Sequence, residues 1–544
     1  MYIRFQTLYM FFASAPSIVF WNLLAGCKKI LFLDWVLRMK KFWQFPWYPF
    51  LFSLYPALTL LAHNISQVQY AAGIRSLLVS CIGTILLTLV FRLIYRNWHR
   101  AAFIATAWVL LFFTYGQVYD VVNAKWKPVY LSNWMLGILL FLFIVILILA
   151  GLRKVHFESA VLPLNFVSFG LMIYPLFLVV RWESLHSNPV QAKALGPDPV
   201  MHIPAGETLP DIYYIMPEDY GRVDLLQSMD QIDISQFMEY LKKSGFYIGD
   251  CSQSNYAMES ELSLGSALNM EYLYDLSPKF TANNLDQGPI WNAIRYSAVS
   301  ADLKKVGYKT VAYATGFAWS ELTNSDVYFA PPLLWSNLTS FEIQLLRTTP
   351  IRRLEDIGVI NLNEVDGEKY RERTMVEFNS AATLATMPGP KFVFMHIISP
   401  HEPFVFGPDG KPIDPAPFMD QNQLYTQEQY IRGYRLAVPF VNMELEKTIT
   451  TLITKSTRPL VIILQTDTGP MFTTGSDMFK ILNAYYMPGH TGQLYPSISP
   501  VNSFRVVFNA YFGTDLPLLN DASYFSPIPQ IYDFSPVPNP CSEK

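Results

Sequence analysis

Leu131–Gly151 reads LSNWMLGILLFLFIVILILAG, a run without a single charge. A bilayer's hydrocarbon core is about 30 Å thick, so a helix crossing it needs about 20 mostly apolar residues. This run has that length. Working outward, 76–91, 101–119 and 160–180 repeat the pattern, 47–62 does so more weakly, and 8–26 more weakly still. The composition agrees: 15% of the chain is charged and 51% hydrophobic, against about 25% charged in a typical soluble domain. The imbalance lies before Glu183, and the remainder of the chain has the make-up of an ordinary soluble domain. The predicted organisation is an N-terminal segment at 1–46 with room for an extra span, and a helical bundle of about five spans at 47–183. A linker at 184–209 then leads to an α/β domain at 210–544.

Basic residues set the orientation, because Lys and Arg concentrate on the cytoplasmic side. Arg38, Lys40 and Lys41 precede 47–62; Arg96 and Arg100 separate the next two runs; Arg153 and Lys154 separate the last two. All three groups share one side if spans begin at Trp47, Ser76, Ala101, Leu131 and Ala160. An odd count then places everything after Arg181 on the outer side of the plasma (inner) membrane. A span at 8–26, followed by Lys28 and Lys29, leaves this unchanged. Met39 offers a second start, since MKKFWQFPW is an ordinary opening for a membrane protein. None of these spans carries an internal ionisable residue, which disfavours a transporter.

The net charge of −3 and the absence of a basic run argue against nucleic acid as a partner. Cys27 and Cys81 fall in or beside membrane segments. Cys251 and Cys541 fall in the exported domain, where they are either a disulfide or two isolated thiols.

After a Pro-rich, polar linker the pattern changes. IYYIM (212–216), TVAY (310–313), KFVFMHI (391–397) and LVIIL (460–464) are short apolar runs, separated by amphipathic stretches at 234–245 and 441–455. Fully apolar strands alternating with helices predict a mostly parallel sheet with helices on both faces. In such sheets the ligand crevice lies beyond the strand C-termini. Pro217, Glu218 and Asp219 stand after the first run; Ser399, Pro400, His401, Glu402 and Pro403 after the third; Gln465, Thr466, Asp467, Thr468 and Gly469 after the last. Ser260 stands at the start of a helix-like run in YAMESELSLGSALN (256–269). There it is either a helix cap or a hydroxyl beside an anion held by the helix N-terminus. Carboxylates converging on such a hydroxyl suit a hard divalent cation.

PDIYYIMPEDYGR, SQSNYAMESELSLGSALNMEYL, FEIQLLRTTPIRRL, GPKFVFMHIISPHEPFVFGPDG, PLVIILQTDTGP and LYPSISPVNSFRVVFNAYFGTDLPLL occur in this order between Pro210 and Tyr524. Together they resemble the membrane-anchored, sulfatase-like branch of the alkaline phosphatase superfamily, the group of lipoteichoic acid synthase and phosphoethanolamine transferases. The resemblance implies about five spans followed by an outer hydrolytic domain. It implies Glu218 as first metal ligand with Asp219 beside it, Ser260 as nucleophile, His401 as a contact to the substrate headgroup, and Asp467 as a further metal ligand. Formylglycine chemistry is not implied, since neither Ser260 nor Cys251 begins the Cys/Ser-x-Pro-x-Arg sequence it requires.

One departure matters. The family's Asp-His-Gly is here Asp467-Thr468-Gly469, and a Thr hydroxyl is a much weaker ligand than imidazole. Either His490 fills the place from the following loop, or oxygen ligands hold Mg²⁺ or Ca²⁺ instead of Mn²⁺ or Zn²⁺, or the chain has kept the fold and lost turnover. The expectation is a membrane hydrolase or phosphotransferase using one divalent metal ion and Ser260 on lipid-linked or envelope glycan substrates. The alternative is a non-catalytic envelope protein with a binding or assembly role.

Overall fold

The computed structural model describes residues 40–541 except 66–67, 69, 127–130, 153–156, 187–193, 204–205, 207, 229–231, 333–337 and 419–424. The segment 8–26, Cys27, Lys28, Lys29, Arg38, Met39, Arg153 and Lys154 therefore lie outside the described residues. The chain divides into a helical unit and an α/β unit.

The helical unit contains α1 (Tyr48–His63), α2 (Ala71–Tyr95), α3 (Trp98–Trp126), α4 (Leu131–Gly151) and α5 (Glu158–His186). Four of these, α2 to α5, are long and apolar enough to cross a membrane. The expected first span differs. α1 has 16 residues, about 24 Å at 1.5 Å per residue, which falls short of a hydrocarbon core of about 30 Å. Pro46 stands just before it, and residues 46 and 47 are not helical. Asn165, fully buried in α5, ties down this entry: its Oδ1 accepts from the Trp47 and Tyr48 amides (3.0 and 3.1 Å), and its Nδ2 donates to the Trp43 and Phe45 carbonyls (3.1 and 2.8 Å). Rows of large apolar side chains stay exposed, among them Leu78, Ile82, Leu86 and Leu93 on α2, as lipid-facing helices require.

Among the described residues, the α/β unit is built on a seven-stranded sheet, ordered β2-β7-β6-β1-β5-β3-β4. Its strands are β1 (Asp211–Pro217), β2 (Tyr247–Ile248), β3 (Lys309–Tyr313), β4 (Val327–Phe329), β5 (Lys391–Ile397), β6 (Leu460–Gln465) and β7 (Asn483–Tyr486). β1, β3, β4, β5 and β6 run parallel, and β7 and β2 close one edge antiparallel. Alternate residues of β1 enter two different cores: Ile212, Tyr214 and Met216 one, Tyr213 and Ile215 the other. Both faces are thus covered, which is why β1, β5 and β6 read as continuous apolar runs. α6 (Ser235–Lys243), whose apolar side faces the sheet, and α8 (Gln427–Lys455) pack on the second core; α7 (Ser260–Asn269) and α9 (Pro500–Phe512) pack on the first. Cys251 and Cys541 are joined as a disulfide with Cα atoms 5.4 Å apart.

Candidate active site

β1, β5 and β6 lie side by side, so their C-terminal residues converge. Met216 pairs with His396 across β1 and β5, and the Glu218 amide continues that ladder to the Ile397 carbonyl at 2.9 Å. Side chains alternate along a strand, so Glu218 follows Met216 onto the face packed by α7 through Leu262, Leu264 and Leu268. Ser260, half-buried, is the first residue of α7. Its hydroxyl donates to Glu218 Oε1 at 3.0 Å. The N-cap position belongs to Glu259, and no side chain caps it, so Ser260 is not the helix cap.

Asp219 turns the chain sharply, with φ 59°, in the left-handed region that Asp tolerates better than most residues. Its amide donates to Asp467 Oδ1 at 3.2 Å and its carbonyl accepts from the Tyr434 hydroxyl at 2.9 Å. Its carboxylate accepts from Thr468 Oγ1 at 2.9 Å and from the Tyr430 hydroxyl at 3.3 Å. Thr468 therefore positions Asp219. His401 sits in the turn after β5, its Nδ1 2.6 Å from the Glu402 carbonyl and 3.5 Å from Glu402 Oε2.

The electrostatics follow from burial. Glu218 is pushed up to about 8, mainly by loss of water; His401 opposes the shift, while Asp467 and Asp219 reinforce it. Asp219 rises to about 7 for the same reason, again against the pull of His401. Burial raises Asp467 too, and the Ser260 hydroxyl pulls it back. Burial would lower His401, but Glu218, Glu402 and Asp219 together hold it at about 10, so it is charged at neutral pH. His396, fully buried, is pushed down to about 3 by burial and then by His401, and stays neutral.

Three buried side chains offer unpartnered donor atoms of the kind a divalent cation takes. Glu218 Oε2, Asp467 Oδ2 and both ring nitrogens of His396 are buried without a hydrogen-bond partner. Leaving such groups unsatisfied costs about 1–3 kcal/mol each, and more for charged ones. Asp219, His401 and Glu402 also bring ligand atoms within 4.8 Å of one another, but there Asp219 already accepts two hydroxyls.

The structure brings Glu218, Asp219, Ser260, His401, Asp467 and Thr468 into one neighbourhood. His490 is elsewhere: its ring lies against Tyr511, centroids 4.4 Å apart, and it lines a cavity of about 340 Å³ with Pro210 and Leu460. Those two residues mark the N-terminal ends of β1 and β6. β1 spans roughly 20 Å at about 3.3 Å per residue, so His490 cannot serve position 468. Sequence reasoning passed over His396, Tyr430 and Tyr434, and noted Glu402 only as one of the polar residues after β5. His396 is placed by the strand register, which puts it on the same face as Glu218.

No protein-family model and no curated protein matches the chain. Among solved structures it is similar to the integral membrane lipooligosaccharide phosphoethanolamine transferase A from Neisseria meningitidis, at 10% identity and TM-score 0.38, covering 85% of this chain and 95% of that one. It is also similar to the C-terminal periplasmic domain of EptC from Escherichia coli (10% identity, TM-score 0.38, 61% and 94% covered). A third is the 2-O GAG sulfatase BT1596 (13% identity, TM-score 0.35, 57% and 72% covered). Values this low leave the chemistry to the residues themselves.

Proposed function

We propose that the chain is a membrane-bound, metal-dependent phosphotransferase or hydrolase. It acts on phosphate-type esters at the outer membrane surface, on lipid-linked or envelope glycan substrates. The observation that carries this is the half-buried Ser260 hydroxyl, bonded to a buried Glu218, at a helix start and beside carboxylate atoms that have no partner.

A divalent ion held by Glu218 and Asp467 would supply Lewis-acid stabilisation of the oxygens on phosphorus. The remaining work belongs to the side chains. Ser260 Oγ bonds to phosphorus as its proton passes to Glu218 Oε1, and the bond from phosphorus to the donor's oxygen breaks. The N-terminus of α7 favours the anionic group. His401, charged through the nearby Glu218, Glu402 and Asp219, binds the substrate's anionic oxygens. An acceptor hydroxyl or water then takes the phosphoryl group from Ser260.

The test is metal content and phosphodiester turnover of the purified full-length protein in detergent. Bound metal with turnover supports the reading. Bound metal without turnover on any phosphodiester favours the binding role. Neither metal nor turnover defeats the proposal.

A further inference from the structure

We propose that His396 supplies the imidazole that residue 468 cannot, so that an ion at the site is held by Glu218, Asp467 and the Nε2 atom of His396. This rests on the metal-dependent function proposed for the chain and adds to it a ligand that sequence order does not indicate.

Three observations converge. His396 is completely buried, and neither ring nitrogen has a hydrogen-bond partner. A packed imidazole ordinarily satisfies at least one of them. Its Nε2 lies 3.6 Å from Glu218 Oε2, which is also without a partner. That separation is too long for a good hydrogen bond. It suits two ligands of one ion, since metal bonds of about 2.1 Å to each would subtend about 120°. Third, register fixes the placement: Met216 pairs with His396, so the ring projects from the face on which Glu218 and α7 lie.

The ring packs against Trp319 and Phe394, with centroids 5.1 and 5.9 Å away and planes tilted by 48° and 24°. Thr468, in the position where an imidazole would stand, has given its hydroxyl to Asp219. The competing trio Asp219, His401 and Glu402 is tighter, with all its ligand atoms within 4.8 Å. Glu218, His396 and Asp467 are spread more widely than that, so an ion joining them draws at least one side chain inward. In the trio, both Asp219 oxygens accept hydroxyl hydrogens and His401 Nδ1 meets the Glu402 carbonyl, whereas Glu402 Oε2, like Glu218 Oε2, has no hydrogen-bond partner.

X-ray absorption at the zinc edge of the Zn²⁺-loaded, full-length protein counts imidazole ligands by their outer-shell scattering. One imidazole is expected. His396→Gln should remove it and weaken Zn²⁺ binding by about 100-fold, the upper range of losses seen even for outer-sphere partners; His401→Gln should change neither. Thr468→His, which leaves His396 in place, should raise the count to two, and this holds whether or not His396→Gln folds. Loss of the signal in His401→Gln, its survival in His396→Gln, or a count of one in Thr468→His would overturn the assignment, as would bound zinc with no imidazole at all. Failure of the natural protein to take up any metal is a different result and defeats the metal-dependent function itself.

Discussion

Ser260 and Glu218 are 3.0 Å apart, hydroxyl to carboxylate, and everything proposed for the site turns on that pair. Ser260→Ala should lower turnover by several orders of magnitude, as removal of a nucleophile does. Folding should be nearly untouched, since the residue caps nothing. Activity assays beside a thermal melt check both halves, and full activity in the variant would remove Ser260 from the mechanism. His401→Ala should impair turnover with metal content unchanged, and parallel loss of metal would show the trio to be the ion's seat. The metal-stripped protein should also lose stability as pH rises. His401, held at about 10 when folded, stabilises fully below its ordinary value near 6.5 and loses that contribution as pH climbs through about 10. Glu218 and Asp219, raised to about 8 and about 7, bind protons more tightly folded than unfolded, so their contribution also falls with rising pH. Melts of the stripped protein at pH 6 and pH 9 should differ in that order, and a divalent cation should narrow the gap; the reverse order would contradict the charge assignment. Glu218, Asp219, Ser260, His401 and Asp467 were legible as polar residues just past apolar strands or at a helix start. His396 was not, because inside an apolar strand a histidine looks like any other packed residue until its neighbours are known.

At the scale of elements, the long apolar strands were readable because burial on both faces removes polar positions. β2, β4 and β7 were not, being two to four residues at or near the sheet edges, too short for any period to show. α8 was read from residue 441, where Val441, Leu445, Ile449, Leu452 and Ile453 share one helical face. It runs instead from Gln427, started by the capping box of Thr426 and Gln429, and continues through Pro439 with Val438 and Phe440 buried on either side. Two polar clamps carry predictions. Lys391 and Asp211, both buried at the N-terminal ends of β5 and β1, are paired with each other. Asp211→Ala leaves an uncompensated buried charge and should cost about 3–5 kcal/mol, read as a lower denaturation midpoint of the detergent-solubilised protein; a change below about 1 kcal/mol would refute the pair's importance. Asn165→Leu strands two amides and two carbonyls at the entry of α1. It should destabilise by more than the about 1 kcal/mol typical of a lost cap, and an unchanged melt would show that other groups satisfy them.

For the whole molecule, the membrane topology does not hinge on the short α1. Counting forward from Arg96 and Arg100, three long helices, α3 to α5, precede the α/β unit, and three crossings change sides. Reporter fusions at Arg100 and at Lys544 should therefore give opposite compartments, and identical ones would sink the arrangement. The disulfide between Cys251 and Cys541 belongs to an oxidising compartment, which agrees with export. The strand order has one more consequence, for the timing of synthesis. β1 is the first strand of the sheet to be made, yet its partners β5 and β6 follow about 180 and 250 residues later, and Cys251 waits 290 residues for Cys541. A ribosome adding about 5–20 residues each second leaves that central strand unpaired for tens of seconds after it is made. The cell must shelter an apolar ribbon for that interval, so maturation of this protein should depend on holding chaperones more than its final stability would imply.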